Sequence, residues 1–136
     1  MVYDLSTSLH SKAEENKRVA MKCININAYN AGISRAYYSV FQKIKSYLIA
    51  NKFDYADFIQ QKHKENQKPF SHGTIQQAAI ECMIGQGKKI QDFRALSCID
   101  NLYKKRKDAD YEGKQFGKQD LKIILNEVED IFKVLC

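Results

Sequence analysis

The sequence predicts an all-α protein, an antiparallel up-and-down bundle of about five helices. Three observations predict it. Apolar residues recur at steps of three and four through five separate segments. A single proline and six glycines leave long stretches free of helix breakers. No segment carries the alternating pattern of a strand that would compete with those helices. A length of 136 residues with 44% apolar side chains suits one domain, 1–136, with its own core.

Each element follows from its own pattern. The first helix spans Thr7–Ile24, with Leu9, Ala13, Asn16, Ala20 and Ile24 on one face and Ser6, Thr7 and Ser8 as candidate caps. The second, Ala28–Ala50, carries the widest stripe: Tyr29, Ile33, Ala36, Tyr37, Val40, Phe41, Ile44, Tyr47 and Leu48. At 1.5 Å per residue it is a rod of roughly 34 Å, long enough to be the spine of a bundle. Asn51–Pro69 breaks the pattern and reads as a mobile connection with room for one short turn at Tyr55–Ile59. A third helix, His72–Ile84, is capped by Ser71, presents Ile75, Ala78, Ala79, Cys82 and Met83, and stops at Gly85 and Gly87. The fourth, Lys88–Ala109, turns Ile90, Phe93, Leu96, Ile99, Leu102 and Tyr103 inward. After Gly113 and Gly117 the fifth, Lys118–Leu135, does so with Leu121, Ile124, Leu125, Val128, Ile131, Phe132 and Leu135.

Composition narrows the class. Lysine and arginine total 22 against 16 acids, a net charge of +6 that favours polyanionic partners such as RNA or nucleotides. No apolar run approaches the ~20 residues of a membrane span. Met1–Ala20 carries charges throughout, which predicts a mature cytoplasmic protein without a signal segment. Cys23, Cys82, Cys98 and Cys136 form no C-x-x-C pair and no zinc-ligand spacing with histidine. Reduced thiols, three in or near the core, and no metal or other cofactor are expected.

Four groups of residues carry possible chemistry. The buried face of the fourth helix, extended from Ile99, passes through Tyr103, Arg106 and Asp110, so two charges continue an apolar face and must pair. Such a pair is either a structural network at a helix end or a polar pocket in which Arg106 holds a phosphate. Lys104, Lys105, Arg106 and Lys107 are adjacent and therefore point in different directions. They read as a solvated face or as contacts to an RNA backbone. On the second helix Asn30, Ser34, Arg35, Tyr38 and Ser39 make a polar strip, with Arg35 and Tyr38 candidates to join Arg106. At the start of the third helix His72, in Ser71-His72-Gly73, either only flanks the cap or donates to an anion beside free N–H groups. His10 and His63 lie in polar surroundings and are assigned no role. Phosphate-binding loops, nucleophile elbows and H-E-x-x-H are absent.

Three of these segments resemble one family. Tyr29-Asn30-Ala31-Gly32-Ile33-Ser34-Arg35-Ala36-Tyr37-Tyr38-Ser39-Val40-Phe41 is similar to the YN-x-A-x-SRAYYA-x-F signature of small stand-alone HEPN proteins. Ser71-His72-Gly73 resembles their SH-x-G helix start, and Tyr103-Lys104-Lys105-Arg106-Lys107-Asp108-Ala109-Asp110-Tyr111 their R-x-x-ADY helix end. The resemblance implies an up-and-down bundle, often homodimeric, in toxin–antitoxin pairs, phage defence or RNA processing. Many members are metal-independent endoribonucleases with an R-x(4–6)-H motif, neutralised by a minimal nucleotidyltransferase encoded beside them. Here Arg106 is followed by Asp110, Tyr111 and Glu112, and no histidine follows His72. An aspartate, with a reference pKa of about 3.9 against about 6.5, does not substitute for that histidine. The expectation is therefore an RNA- or nucleotide-binding protein using Arg35, Tyr38, Arg106, Asp110, Lys104 and Lys107. The alternatives are a nuclease using Arg106 with His72 or Tyr111 for the proton, and a non-catalytic dimeric scaffold.

Overall fold

The computed structural model describes residues 5–63 and 72–136. In chain order the helices are α1 (Leu5–Asn25), α2 (Tyr29–Ala50), α3 (Tyr55–His63), α4 (His72–Gly85), α5 (Ile90–Arg94), a 3-10 turn (Ala95–Cys98), α6 (Ile99–Tyr111) and α7 (Lys118–Val134). Among the described residues there is no strand, and no helix is long and apolar enough to cross a membrane.

Helix α2 packs against α1, α6, α7 and α4, and paired contacts give the directions of the first three. Ser6 meets Ser46 and Asn16 meets Gln42, so α1 runs antiparallel to α2. Tyr37 meets Tyr103 and Ser34 meets Asp110, so α6 is also antiparallel to α2. Gly32 faces Leu121 and Lys43 faces Phe132, so α7 runs parallel to α2. The hairpin from α1 to α2 closes on Asn27, whose φ of 56° is left-handed and suits asparagine, while the Ala28 N–H donates to Cys23 O at 2.9 Å. Between the helices lies a cluster that includes Ala13, Ile33, Val40, Ile44, Met83, Leu96, Leu102, Leu121, Ile124 and Ile131, each nearly or fully removed from water. All four cysteines are free, with Cys23 and Cys82 buried, Cys98 half-buried and Cys136 exposed.

The helix count differs from the expected five in two places. The segment after α2 holds a nine-residue helix, α3, rather than one short turn. Asp54 Oδ1 accepts from the Asp57 N–H at 3.0 Å and so caps it, Gln61 donates to Asp57 one turn on, and Phe58 is buried against Phe53 and Tyr55. The rest of the expected connection, from residue 64 to Pro69, and the Ser71 cap lie outside the described residues. The expected fourth helix is broken by the 3-10 turn. There the Ser97 hydroxyl donates to Arg94 O, the Cys98 thiol donates to Ala95 O, and Gln76 of α4 donates to Leu96 O at 2.8 Å. Side-chain donors on these carbonyls compete with the helical ladder.

At Gly32 α2 leaves no room for a side chain. A Cβ there would sit 2.5 Å from Leu121 Cδ2 and 3.0 Å from Cys23 Cβ, and both residues are buried. Gly32→Ala is expected to destabilise the protein by about 1–3 kcal/mol despite alanine's better helix propensity, because a packed core resists an added methyl. Urea unfolding would measure it, and a variant as stable as the parent would show that α7 yields freely.

Candidate functional site

Helix α6 buries Ile99 and Leu102 and then continues the same face with charge. The Arg106 side chain is only 13% exposed. Its guanidinium carbon lies 5.0 Å from the Tyr37 ring centre, 5.4 Å from Tyr103, 5.7 Å from Tyr111 and 5.9 Å from Tyr38. Four tyrosine faces thus surround one cation, an arrangement in which each ring's quadrupole offsets part of the charge. The rings hold each other: Tyr37 lies 5.6 Å from Tyr38, 5.7 Å from Tyr103 and 6.1 Å from Phe41.

The carboxylate partner is loosely placed. Asp110 Oδ2 is 3.8 Å from Arg106 Nη1, beyond hydrogen-bond length, and accepts from the Ser34 hydroxyl at 3.2 Å. Arg106 Nε is buried without a hydrogen-bond partner. The guanidinium therefore keeps hydrogen-bonding capacity that the protein does not use. Such a group can take an anion that brings oxygens closer than Asp110 does.

Of the residues expected at this site, Arg106, Asp110, Tyr38 and Tyr111 come together. Arg35 does not join them: it donates to Asn16 Oδ1 of α1 at 3.0 Å, and Asn16 in turn donates to Gln42. Successive helical residues are ~100° apart, so Ser34 faces α6 while Arg35 faces α1. The adjacent cations diverge. Lys104 is exposed, Lys107 Nζ lies over Tyr103 at 5.4 Å, and Lys105 acts on Glu127 of α7. Burial raises the Glu127 carboxyl above its usual range, and Lys105 opposes that rise. His72 opens α4, but its side chain lies outside the described residues.

Three residues with a part in this site were not expected in it. Tyr37 and Tyr103 read as core residues because both sit on apolar stripes. The spacing of Tyr103 three residues before Arg106, on the same face, was the available signal. Asn30 had been placed on the polar strip without a role. Its amide donates to Ala109 O at 3.3 Å and Lys114 O at 2.7 Å, and its carbonyl oxygen accepts from the Phe116 N–H at 2.9 Å. One side chain thus ties the end of α6 and the following loop to α2, which sets where Tyr111 stands.

Two outcomes are expected from this geometry. Asn30→Ala should cost about 1–3 kcal/mol through three lost bonds and speed hydrogen exchange at the Phe116 amide, which a native-state exchange experiment would read. Burial pushes the Tyr37 hydroxyl up to about 12 from the ordinary phenol value of about 10, with Arg106 opposing the rise. A pKa raised in the folded state favours the protonated phenol there. That contribution is complete below about 10 and is lost as pH climbs toward about 12. Burial also raises Tyr47 and Tyr55, so an absorbance titration should show several late-ionising tyrosines, and Tyr37→Phe should remove one of them, at about 12.

No curated protein matches the sequence. The HEPN domain family matches it over residues 7–136. That span contains α2 with its tyrosine pair and α6 with Arg106, and it covers nearly the whole chain. The protein belongs to the HEPN family.

Proposed function

We propose that this HEPN protein binds RNA or a nucleotide at the tyrosine cage, with Arg106 holding a phosphate group rather than assisting its cleavage. The observation that carries the reading is a guanidinium with unused donors, set between two exposed aromatic rings. Tyr38 is 42% and Tyr111 71% exposed. Exposed tyrosines stack on unpaired bases, and a planar guanidinium between them suits the phosphate that joins two such bases. Lys104 and Lys107 lie on the same helix, and the net charge of +6 adds attraction at longer range.

Binding is favoured over cleavage because α6 itself carries no histidine for the proton beside Arg106. Membership of a toxin–antitoxin or phage-defence system, a homodimeric state and a minimal nucleotidyltransferase partner rest on the family resemblance. A second reading, a scaffold in which the cage is structural, is favoured by the low exposure of Arg106 and its aromatic contacts.

Fluorescence anisotropy with labelled single-stranded RNA, with adenosine monophosphate as competitor, separates the readings. Arg106→Ala should weaken binding by about 10–100-fold, the worth of a hydrogen bond to a charged group, and lower the salt slope by about one. Tyr111→Ala should weaken it by about 5–100-fold through one lost stack. If neither the parent nor the variants bind, the proposal fails. If Arg106→Ala lowers only the melting temperature, the cage is structural. Metal-free cleavage of the same RNA, abolished by Arg106→Ala and by either His72→Ala or Tyr111→Phe, would instead make the protein a nuclease.

A further inference from the structure

Helix α2 carries no acidic residue along its 22 residues, while Arg35, Lys43 and Lys45 are cationic. Ser34, Tyr38, Phe41, Lys45 and Ile49 follow steps of three and four, so they share one face. Hydrogen bonds fix what flanks that face. Ser34 meets Asp110 of α6 on one side, and Arg35 and Gln42 meet Asn16 of α1 on the other. Between the two neighbours Tyr38 and Ile49 are exposed, and Phe41 and Lys45 are half-buried.

Rings and cations alternate along this strip. The Lys45 ammonium lies 4.7 Å from the Phe41 ring centre, and Phe41 stacks on Tyr37 at 6.1 Å. Tyr37 in turn carries the Arg106 guanidinium at 5.0 Å. Phe41 is one turn beyond Tyr37, so Lys45 puts its charge further along α2 than Arg106 does. A cation on a ring face uses none of its N–H donors, and among the described residues no carboxylate pairs with Lys45. Successive nucleotides of a stacked strand are about 3.4 Å apart. The 6.1 Å between the rings under the two cations is therefore more than one such step. Tyr38 lies on the same strip, with its exposed ring next to Tyr37 at 5.6 Å. A strand held at Arg106 that follows this face passes Tyr38 with a base and Lys45 with a later phosphate.

We propose that Phe41 and Lys45 form a second subsite beside the Arg106 cage, so that the ligand is a single-stranded RNA segment of three or more nucleotides laid along α2, not a free mononucleotide. This rests on the reading of Arg106 as a phosphate contact. It adds to that reading a minimum length and a path toward the C-terminal end of α2.

The test is displacement of a labelled six-nucleotide RNA by unlabelled oligouridines of two, four and six nucleotides, read by fluorescence anisotropy. The two-nucleotide strand has a single internal phosphate, and the four-nucleotide strand should bind the parent at least about tenfold more tightly. Lys45→Gln should weaken binding of four and six nucleotides by about tenfold and leave two nucleotides unchanged. Arg106→Ala should weaken all three. Lys122→Gln removes an equal charge from an exposed position of α7 and should leave every affinity nearly unchanged. Equal affinity for two and four nucleotides would overturn the subsite, as would a four-nucleotide affinity undiminished in Lys45→Gln. So would a Lys45→Gln loss that is the same for two nucleotides, or an equal loss in Lys122→Gln. In each of these cases a loss in Arg106→Ala leaves the Arg106 reading standing. If the six-nucleotide RNA does not bind the parent, both readings fall. Should Lys45→Gln not fold, the length dependence in the parent decides alone.

Discussion

The described bundle is arranged around one helix that has to satisfy four neighbours at once. Helix α2 presents Gly32 to α7 and Cys23, Tyr37 to α6, and Lys43 with Ser46 to α1. At Gly32 the missing side chain leaves Leu121 and Cys23 the space that a Cβ would fill. That close approach near the start of α2 is coupled to the hairpin turn at Asn27 and to the Asn30 bonds one turn later. A bulkier residue at position 32 would push on the segment that carries both sides of the Arg106 site.

The cage around Arg106 shows how a small helical protein can keep a cation half-buried without a tight carboxylate. A close salt bridge would satisfy the guanidinium and leave it little to offer a ligand. Tyrosine faces stabilise the charge without using its hydrogen-bond donors, and the buried Nε keeps no hydrogen-bond partner. Asp110 stays near enough to hold the guanidinium's orientation, while Ser34 holds Asp110. The same economy governs Lys43, whose partners are an imidazole and an aromatic face.

The local chemistry that interrupts helices was legible in kind but not in consequence. Ser97 and Cys98 both sit where a helical stripe continues unbroken, and the stripe argued for one long helix. Their side chains instead donate to carbonyls three residues back, and Gln76 from α4 donates to the carbonyl of Leu96. The first two bonds are local and available to inspection. The third needs α4 in place, and together they turn the segment into a 3-10 connection. Asp54 is a similar case: as a cap it could be suspected, but α3 is secured by the burial of Phe58 against Phe53 and Tyr55.

The sequence by itself determined that the chain is helical, where its long helices lie, and that Arg106 and Asp110 share a face, because periodicity and i,i+4 spacing are properties of a single helix. It also carried the family, whose signature residues lie along α2 and α6. Tertiary structure decided which rings surround Arg106, that Arg35 turns instead to Asn16, that Asn30 fastens the loop beyond α6, and that Lys43 is buried beside His10. Each of these depends on how two helices are rotated toward one another. Rotation is set by packing across the bundle and leaves no mark in the spacing along either helix.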